Sequence, residues 1–272
     1  MSDPKLRGQL VDYSRRMHAR GWVANHDGNL SVRLPDGRFL ATPTAYSKAE
    51  VTADSLVTVD AAGAVVAGRL RVFSEMGIHL AAYRARPDVA AVVHAHPPHA
   101  TALAAAGRSL ETFLPEAVVS LGPLIPLVPM AAPGPAAVQA ITPFAAQYDA
   151  VLVAGNGVFA WGDSIEQAYL RLELVEHLCH MALLALPAGG VKPLPAALLP
   201  PLLEARRKAG LGPEARGVQA PTQGQTAQAP ATSTAAAPVA AAAAPRPAVD
   251  PAVDPVLLAD LIRQELTAAL RR

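Results

Sequence analysis

Apolar residues recur at two periods along the first two thirds of the chain, and the switches between them lay out its elements. Leu6, Leu10, Val11 and Met17 fall at helical spacing and Gly21 ends the run, which predicts a helix over 4–21. A turn-forming cluster follows, Asn25-His26-Asp27-Gly28-Asn29. Residues 30–34 alternate as a strand does, Pro35-Asp36-Gly37 makes a tight turn, and 38–42 return as the hairpin partner. A second short pair is predicted at 56–60 and 64–66, around Ala62-Gly63. Further on come a helix over 75–86, a buried strand at 89–93 ending at His94, and a helix over 98–106. A buried strand at 150–154 and a long helix over 164–186 complete the pattern. Hairpins interleaved with helices point to an α/β sandwich around a mainly antiparallel sheet.

Past Leu211 this pattern stops. Residues 212–254 are Ala, Pro, Gln, Thr and Gly, a stretch that buries too little to offset the entropy of ordering it. It reads as a linker with a root-mean-square reach of about 35 Å. The last segment, 255–272, is different again: Asp254 can cap a helix and Pro255 fits its first turn. Leu258, Ile262, Leu266 and Leu270 recur every fourth residue, with Leu257 and Leu261 widening the stripe. An isolated helix of that length is marginal in water, so it folds against something, either a partner's groove or its own domain. The domain reading is therefore a globular part over 1–211, a linker over 212–254 and an amphipathic helix over 255–272.

Composition narrows the function classes. With 23 Lys+Arg against 22 Asp+Glu the net charge is +1, which gives no basic groove for nucleic acid. Much of the 51% hydrophobic content is Ala, and at 4% the aromatics are too few for a stacking platform. One cysteine, Cys179, excludes an internal disulfide framework. No secretory signal or bilayer-spanning run is visible, so the expected location is cytoplasmic.

The densest chemistry is Val92-Val93-His94-Ala95-His96-Pro97-Pro98-His99. Two residues apart on an extended chain, His94 and His96 face one side, as two ligands of one metal would, and the prolines stop the strand beside them. Two polar residues bonded to backbone at a strand end would look the same. Glu75, at a helix start within Phe73-Ser74-Glu75, can cap that helix or act as a base. Gly28-Asn29-Leu30-Ser31 and Thr42-Pro43-Thr44-Ala45 are small polar turns of a kind that can hold an anion, or simply turn the chain.

Taken in order, these four motifs resemble the class II aldolase/adducin-head family, which includes fuculose- and rhamnulose-phosphate aldolases and ribulose-phosphate 4-epimerases. The resemblance spans about Leu6 to Leu186. It implies a three-layer α/β sandwich and a divalent metal, usually zinc, held by three histidines, two of which match His94 and His96. Glu75 matches the proton acceptor and donor, and Gly28, Asn29, Thr44, Ala45 and Ser74 match the substrate-phosphate positions. The metal would stabilise the enediolate left when a carbon–carbon bond breaks. The family's third histidine stands in an Asn-His-Gly pattern; this chain has Gly155-Asn156-Gly157, placing the weaker neutral oxygen of Asn156 there. Ala45 replaces the usual glycine, and its Cβ is expected to resist positive φ. Phe73 replaces a serine. The implied activity is cleavage of a ketose phosphate, with lactaldehyde as one aldehyde product, by a homotetramer. A 4-epimerase, or a scaffold without catalysis as in the adducin head, would share these motifs. The tail resembles an encapsulation peptide, implying docking of Leu257, Leu258, Leu261, Ile262, Leu266 and Leu270 on a shell protein inside a bacterial microcompartment.

Overall fold

The computed structural model describes residues 3–217. The linker beyond Gly217 and the helix predicted over 255–272 lie outside the described residues.

The first helix, α1 (Asp3–Ala19), is followed by β1 (Asn29–Arg33) and β2 (Phe39–Ala41), joined by the expected Pro35-Asp36-Gly37 turn. The second pair is β3 (Val57–Val59) and β4 (Val65–Ala67). Then come α2 (Met76–Ala85), β5 (Ala91–Ala95), α3 (Pro98–Ala105), β6 (Leu110–Glu111) and α4 (Pro115–Leu121). They are followed by β7 (Leu124–Ile125), β8 (Leu127–Val128), α5 (Pro135–Gln147) and β9 (Ala150–Val153). Finally β10 (Gly157–Gly162) leads into α6 (Ile165–Leu184) and α7 (Leu199–Lys208). The expected elements stand within a few residues of their predicted bounds. Those not anticipated, α4, α5 and α7 above all, fall where Ala and Pro dilute the apolar period; α5 even carries Pro143 inside it.

Eight strands form one sheet in the order β4-β3-β2-β1-β5-β10-β9-β8. Each neighbouring pair is antiparallel except β8 and β9. Alternation splits the side chains cleanly between two cores. Leu30, Val32, Val93, Leu152 and Val158 meet α1 and α6 residues such as Leu10, Met17 and Leu172. Val92, Val151, Phe159 and Trp161 meet α2 and α5 residues such as Met76, Leu80 and Ile141 on the other face. Helix layers on both faces of a mainly antiparallel sheet make the expected three-layer sandwich. Phe73 is 6% exposed in the second core, so the bulk it brings is absorbed by packing.

A buried ionic cluster ties the late elements to the sheet. Asp149, just before β9, is fully buried and accepts from Arg86 at 3.1 Å, Arg171 at 3.1 Å and Arg206. Arg86 also clamps Asp88 through two bonds of 2.8 Å. Burial pulls the Arg171 guanidinium down to about 10 against the opposing charge of Asp149. Arg206 brings α7 into the cluster and donates to the Val119 carbonyl at 2.8 Å. The chain runs on past α7, where Arg216 pairs with Asp163 at 2.7 Å. Replacing Asp149 with Ala leaves buried guanidinium groups without their shared partner. Urea unfolding of Asp149→Ala is expected to show a loss of about 3–5 kcal/mol, and a loss under 1 kcal/mol would contradict this account.

Candidate functional site

Register brings the chemistry together. Asn29 of β1 and Phe159 of β10 both stand opposite His94 of β5, so the three side chains share one face. Phe159 stacks on the His94 ring with centroids 3.9 Å apart and planes 13° from parallel. His96 follows just beyond the end of β5, its N–H bonded to the Trp22 carbonyl at 3.0 Å. Facing it is the β9–β10 turn, where Gly157 has φ +70° and an added Cβ would meet the His96 ring at 2.7 Å. Only glycine lets this turn pass so close, and the pass is what puts Asn156 beside His96.

Glu75 stands at the N-cap of α2, yet its side chain makes no capping bond. It turns into the site instead. Its Oε1 accepts from Asn156 Nδ2 at 2.6 Å and its Oε2 from Asn29 Nδ2 at 2.9 Å. Oε2 also lies 3.3 Å from His94 Nε2. Burial raises this carboxyl, but attraction to His94 when that ring carries a proton, together with the two amide donors, outweighs it and places the group below the usual carboxylate range. Burial in turn holds His94 below the usual imidazole range, that is, neutral.

The Val158 carbonyl assigns the His94 tautomer, because it can only accept. His94 Nδ1 donates to it at 2.9 Å, which leaves Nε2 of the neutral ring a bare lone pair facing Glu75 Oε2 at 3.3 Å. His96 Nδ1 lies 3.1 Å from Asp27 Oδ2, and its Nε2 is hydrogen-bonded to Asn156 Oδ1 at 3.3 Å. Two acceptors, the His94 nitrogen and the Glu75 oxygen, thus face each other beside His96 and Asn156, and a cation between them would relieve that contact. The buried Asn29 Oδ1 has no partner among the described residues and adds a further acceptor at the edge. Among the described residues no three or more His, Cys, Asp or Glu side chains are spaced to enclose a metal by themselves; the group standing beside His96 is the Asn156 amide. Two imidazoles, His94 oriented by a carbonyl and His96 beside a carboxylate, fit a divalent transition metal.

His99 is turned away from this centre. Its Nδ1 lies 2.6 Å from Glu176 and its ring stacks on His180 at 3.9 Å. Of the anion-binding candidates, Gly28 and Asn29 are buried beside His94, while Thr44 is half-buried and Ala45 and Ser74 are exposed. The Thr44 N–H bonds the Arg71 carbonyl at 2.9 Å and Pro43 bridges Val72, so the loop lies along the segment leading to Ser74. Ala45 has φ +53°, so the expectation that its Cβ would resist positive φ is corrected: surrounding contacts hold the left-handed turn, at a cost of about 1 kcal/mol.

Sequence reasoning missed the groups that orient these residues. Asp27 was visible only as a turn residue, and nothing in the sequence marks its reach to His96. Ser31 joins His79 Nδ1 at 2.7 Å and Tyr83 Oη at 2.8 Å inside the core behind Glu75. Burial pushes His79 down to about 3, so it remains neutral. Beside Glu75 opens a cavity of about 790 Å³ whose polar edge is Ser74, Glu75 and Asn156 and whose walls include Met130, Val138 and Ile141.

Residues 8–183 match the family described as Class II Aldolase and Adducin N-terminal domain. The chain is 31% identical over 181 residues to a 3-oxo-tetronate 4-phosphate decarboxylase of Pectobacterium atrosepticum, covering 64% of this chain and 82% of that one. It is 30% identical over 182 residues to a methylthioribulose-1-phosphate dehydratase of Methylococcus capsulatus, covering 62% and 89%. The solved structure of YgbL from Escherichia coli, described as a candidate aldolase/epimerase/decarboxylase, superposes with a TM-score of 0.68 at 30% identity, covering 75% and 99%. An L-fuculose 1-phosphate aldolase shares the fold with a TM-score of 0.70 at 24% identity, covering 75% and 97%. With the family model matched over 8–183 and these relatives sharing the fold, the chain belongs to the class II aldolase/adducin family.

Proposed function

We propose that this protein is a metal-dependent aldolase that cleaves a ketose phosphate, a deoxy-ketose 1-phosphate by preference, into a dihydroxyacetone-phosphate-type ketone and a short aldehyde such as lactaldehyde. The observation that carries this reading is the convergence of His94, His96, Glu75 and Asn156 side chains around one point, with the bare His94 nitrogen facing an ionised Glu75. His94, His96 and the Asn156 oxygen would hold the ion, with zinc as the proposed metal. When bound, it supplies Lewis-acid polarisation of the substrate carbonyl.

The chain's own groups do the rest. Gly28, Asn29, Thr44, Ala45 and Ser74 seat the phosphate. Glu75, ionised and oriented by two amides, takes the proton of the hydroxyl on the departing carbon as the carbon–carbon bond breaks. The electron pair stays on the carbon next to the carbonyl, and Glu75 returns the proton there. The cavity beside Glu75 receives the aldehyde end, and its apolar walls favour a methyl or methylene over further hydroxyls. Among the described residues no Lys or Arg lines that cavity, so a substrate carboxylate would meet the Glu75 charge with no cation beside it; this favours cleavage to an aldehyde over decarboxylation. Dehydration is the second reading, because the same apolar walls and the same proton step next to a carbonyl serve it. Epimerisation would retain and re-add the aldehyde. The working unit is proposed as a homotetramer, and residues 255–272 as a docking peptide for a microcompartment shell protein.

Glu75→Gln is expected to lower kcat by about 10²–10⁴-fold with little change in KM, read from aldehyde release in a coupled assay. Undiminished turnover would remove Glu75 from the mechanism; loss of water without aldehyde would replace cleavage by dehydration. Asn156→His, giving the centre a third imidazole, is expected to raise zinc affinity about 10-fold or more in competition with a chromogenic chelator. Unchanged affinity would mean that position 156 does not face the ion. Deleting residues 255–272 is expected to leave cleavage intact and abolish co-sedimentation with shell protein. Loss of activity on truncation would assign the segment to its own domain.

A further inference from the structure

The two loops that border the site are joined by a buried amine. Lys48 is 1% exposed, and its Nζ donates to the carbonyls of His26 at 3.2 Å and Tyr46 at 2.8 Å. His26 stands two residues before Gly28, and Tyr46 two residues after Thr44. Each loop carries a non-glycine residue in the left-handed region, Asn25 at φ +50° and Ala45 at φ +53°. Asparagine adopts that region readily, but the Ala45 turn would not be held in that form by local preference alone. An ammonium group buried with two carbonyl acceptors is an expensive way to fill core space, where Met or Leu would pack without desolvation. Its retention fits a role that an apolar side chain cannot play.

We propose that Lys48 is the positioning residue of the phosphate seat: it clamps the 43–48 loop to the 24–29 turn, so that backbone N–H groups of both face one anion, and sets a positive charge behind them. The inference rests on the proposed reading of Gly28, Asn29, Thr44, Ala45 and Ser74 as that seat. The clamp reaches the metal centre too, because the turn it holds carries Asp27, which orients His96. Asp27 is the charged group that acts on Lys48, while His26 and Tyr46 are the titratable residues whose carbonyls it grips. Burial lowers the Lys48 amine to about 8. An anion seated in front of it favours the charged form, so phosphate should bind best where Lys48 is protonated and weaken as pH rises through that value.

The test is calorimetric titration of inorganic phosphate into the full-length chain and its Lys48→Met variant at pH 7.5 and pH 9. The wild type is expected to lose about 5-fold or more in affinity between these pH values, although the dianionic share of phosphate only grows over that range and would by itself strengthen binding. Lys48→Met is expected to bind about 10-fold more weakly at pH 7.5 and to show no such pH step. A wild type whose phosphate affinity is flat across this range overturns the role of Lys48 and needs no variant to fold. A folded variant that binds as the wild type does overturns it as well. A wild type that binds no phosphate at either pH overturns the phosphate seat itself, and the inference with it.

Discussion

The position of the candidate base depends on a match between two repeats. Asn29, Ser31 and Arg33 alternate onto one face of β1, about 6.6 Å apart along the strand. Glu75, His79 and Tyr83 recur every fourth residue at the start and along one side of α2, about 6 Å apart along the helix. The two series are bonded rung by rung. Asn29 donates to Glu75 at 2.9 Å, Ser31 joins both His79 and Tyr83, and Arg33 Nη2 donates to the Tyr83 carbonyl at 2.9 Å. Sliding α2 by one turn would break every rung and leave buried polar groups unpaired, each at about 1–3 kcal/mol. Glu75 is therefore held by the sheet as much as by its own helix. Because β1 pairs with β5 in fixed register, the same ladder also sets Glu75 against His94.

Around Glu75 the electrostatics follow from which groups can donate. Asn156 has both kinds of atom, and the site uses both: Nδ2 donates to Glu75 while Oδ1 turns to His96. A histidine in its place would present one ring nitrogen to the centre and give a stronger ligand. Asn156 thus gives Glu75 an extra amide donor, which helps keep it ionised despite its burial. Within a family whose relatives span decarboxylation and dehydration, such a shift in the balance between ion and base is a direct way to change chemistry without changing the fold.

What could be read beforehand was local. Periodicity found α1, the hairpins, α2, β5, α3, β9 and α6, because each carries its own apolar stripe or alternation. It failed from 107 to 149, where Ala and Pro blur the stripe and tertiary contacts decide the outcome; α5 forms with a proline inside it because its apolar side covers Val128 and Val151. That His94 and His96 would share one site was legible from spacing, and the places of Glu75 and Asn156 from their motifs; the structure brings the four together. Their orienting partners were not. Phe159 stacks on His94 only because β10 pairs with β5 in one particular register, and a one-residue slip would turn that ring to the other core. Asp27 reaches His96 only because a left-handed turn at Asn25 bends the chain back.

The same distinction explains Ala45. From local preference alone a Cβ argues against a left-handed turn, and the chain adopts one nonetheless. The forces that hold it lie outside the loop's own sequence: the bridge from Pro43 to Val72, the Thr44 bond to the Arg71 carbonyl, and the Lys48 amine on the Tyr46 carbonyl. Strain kept at a site border by contacts that over-determine it marks a shape the fold maintains against local preference. Glycine would relax that turn and leave the loop freer, whereas alanine, once forced, leaves it one conformation. A loop so constrained can present its N–H groups to an anion without first being ordered, and this lowers the entropic cost of binding.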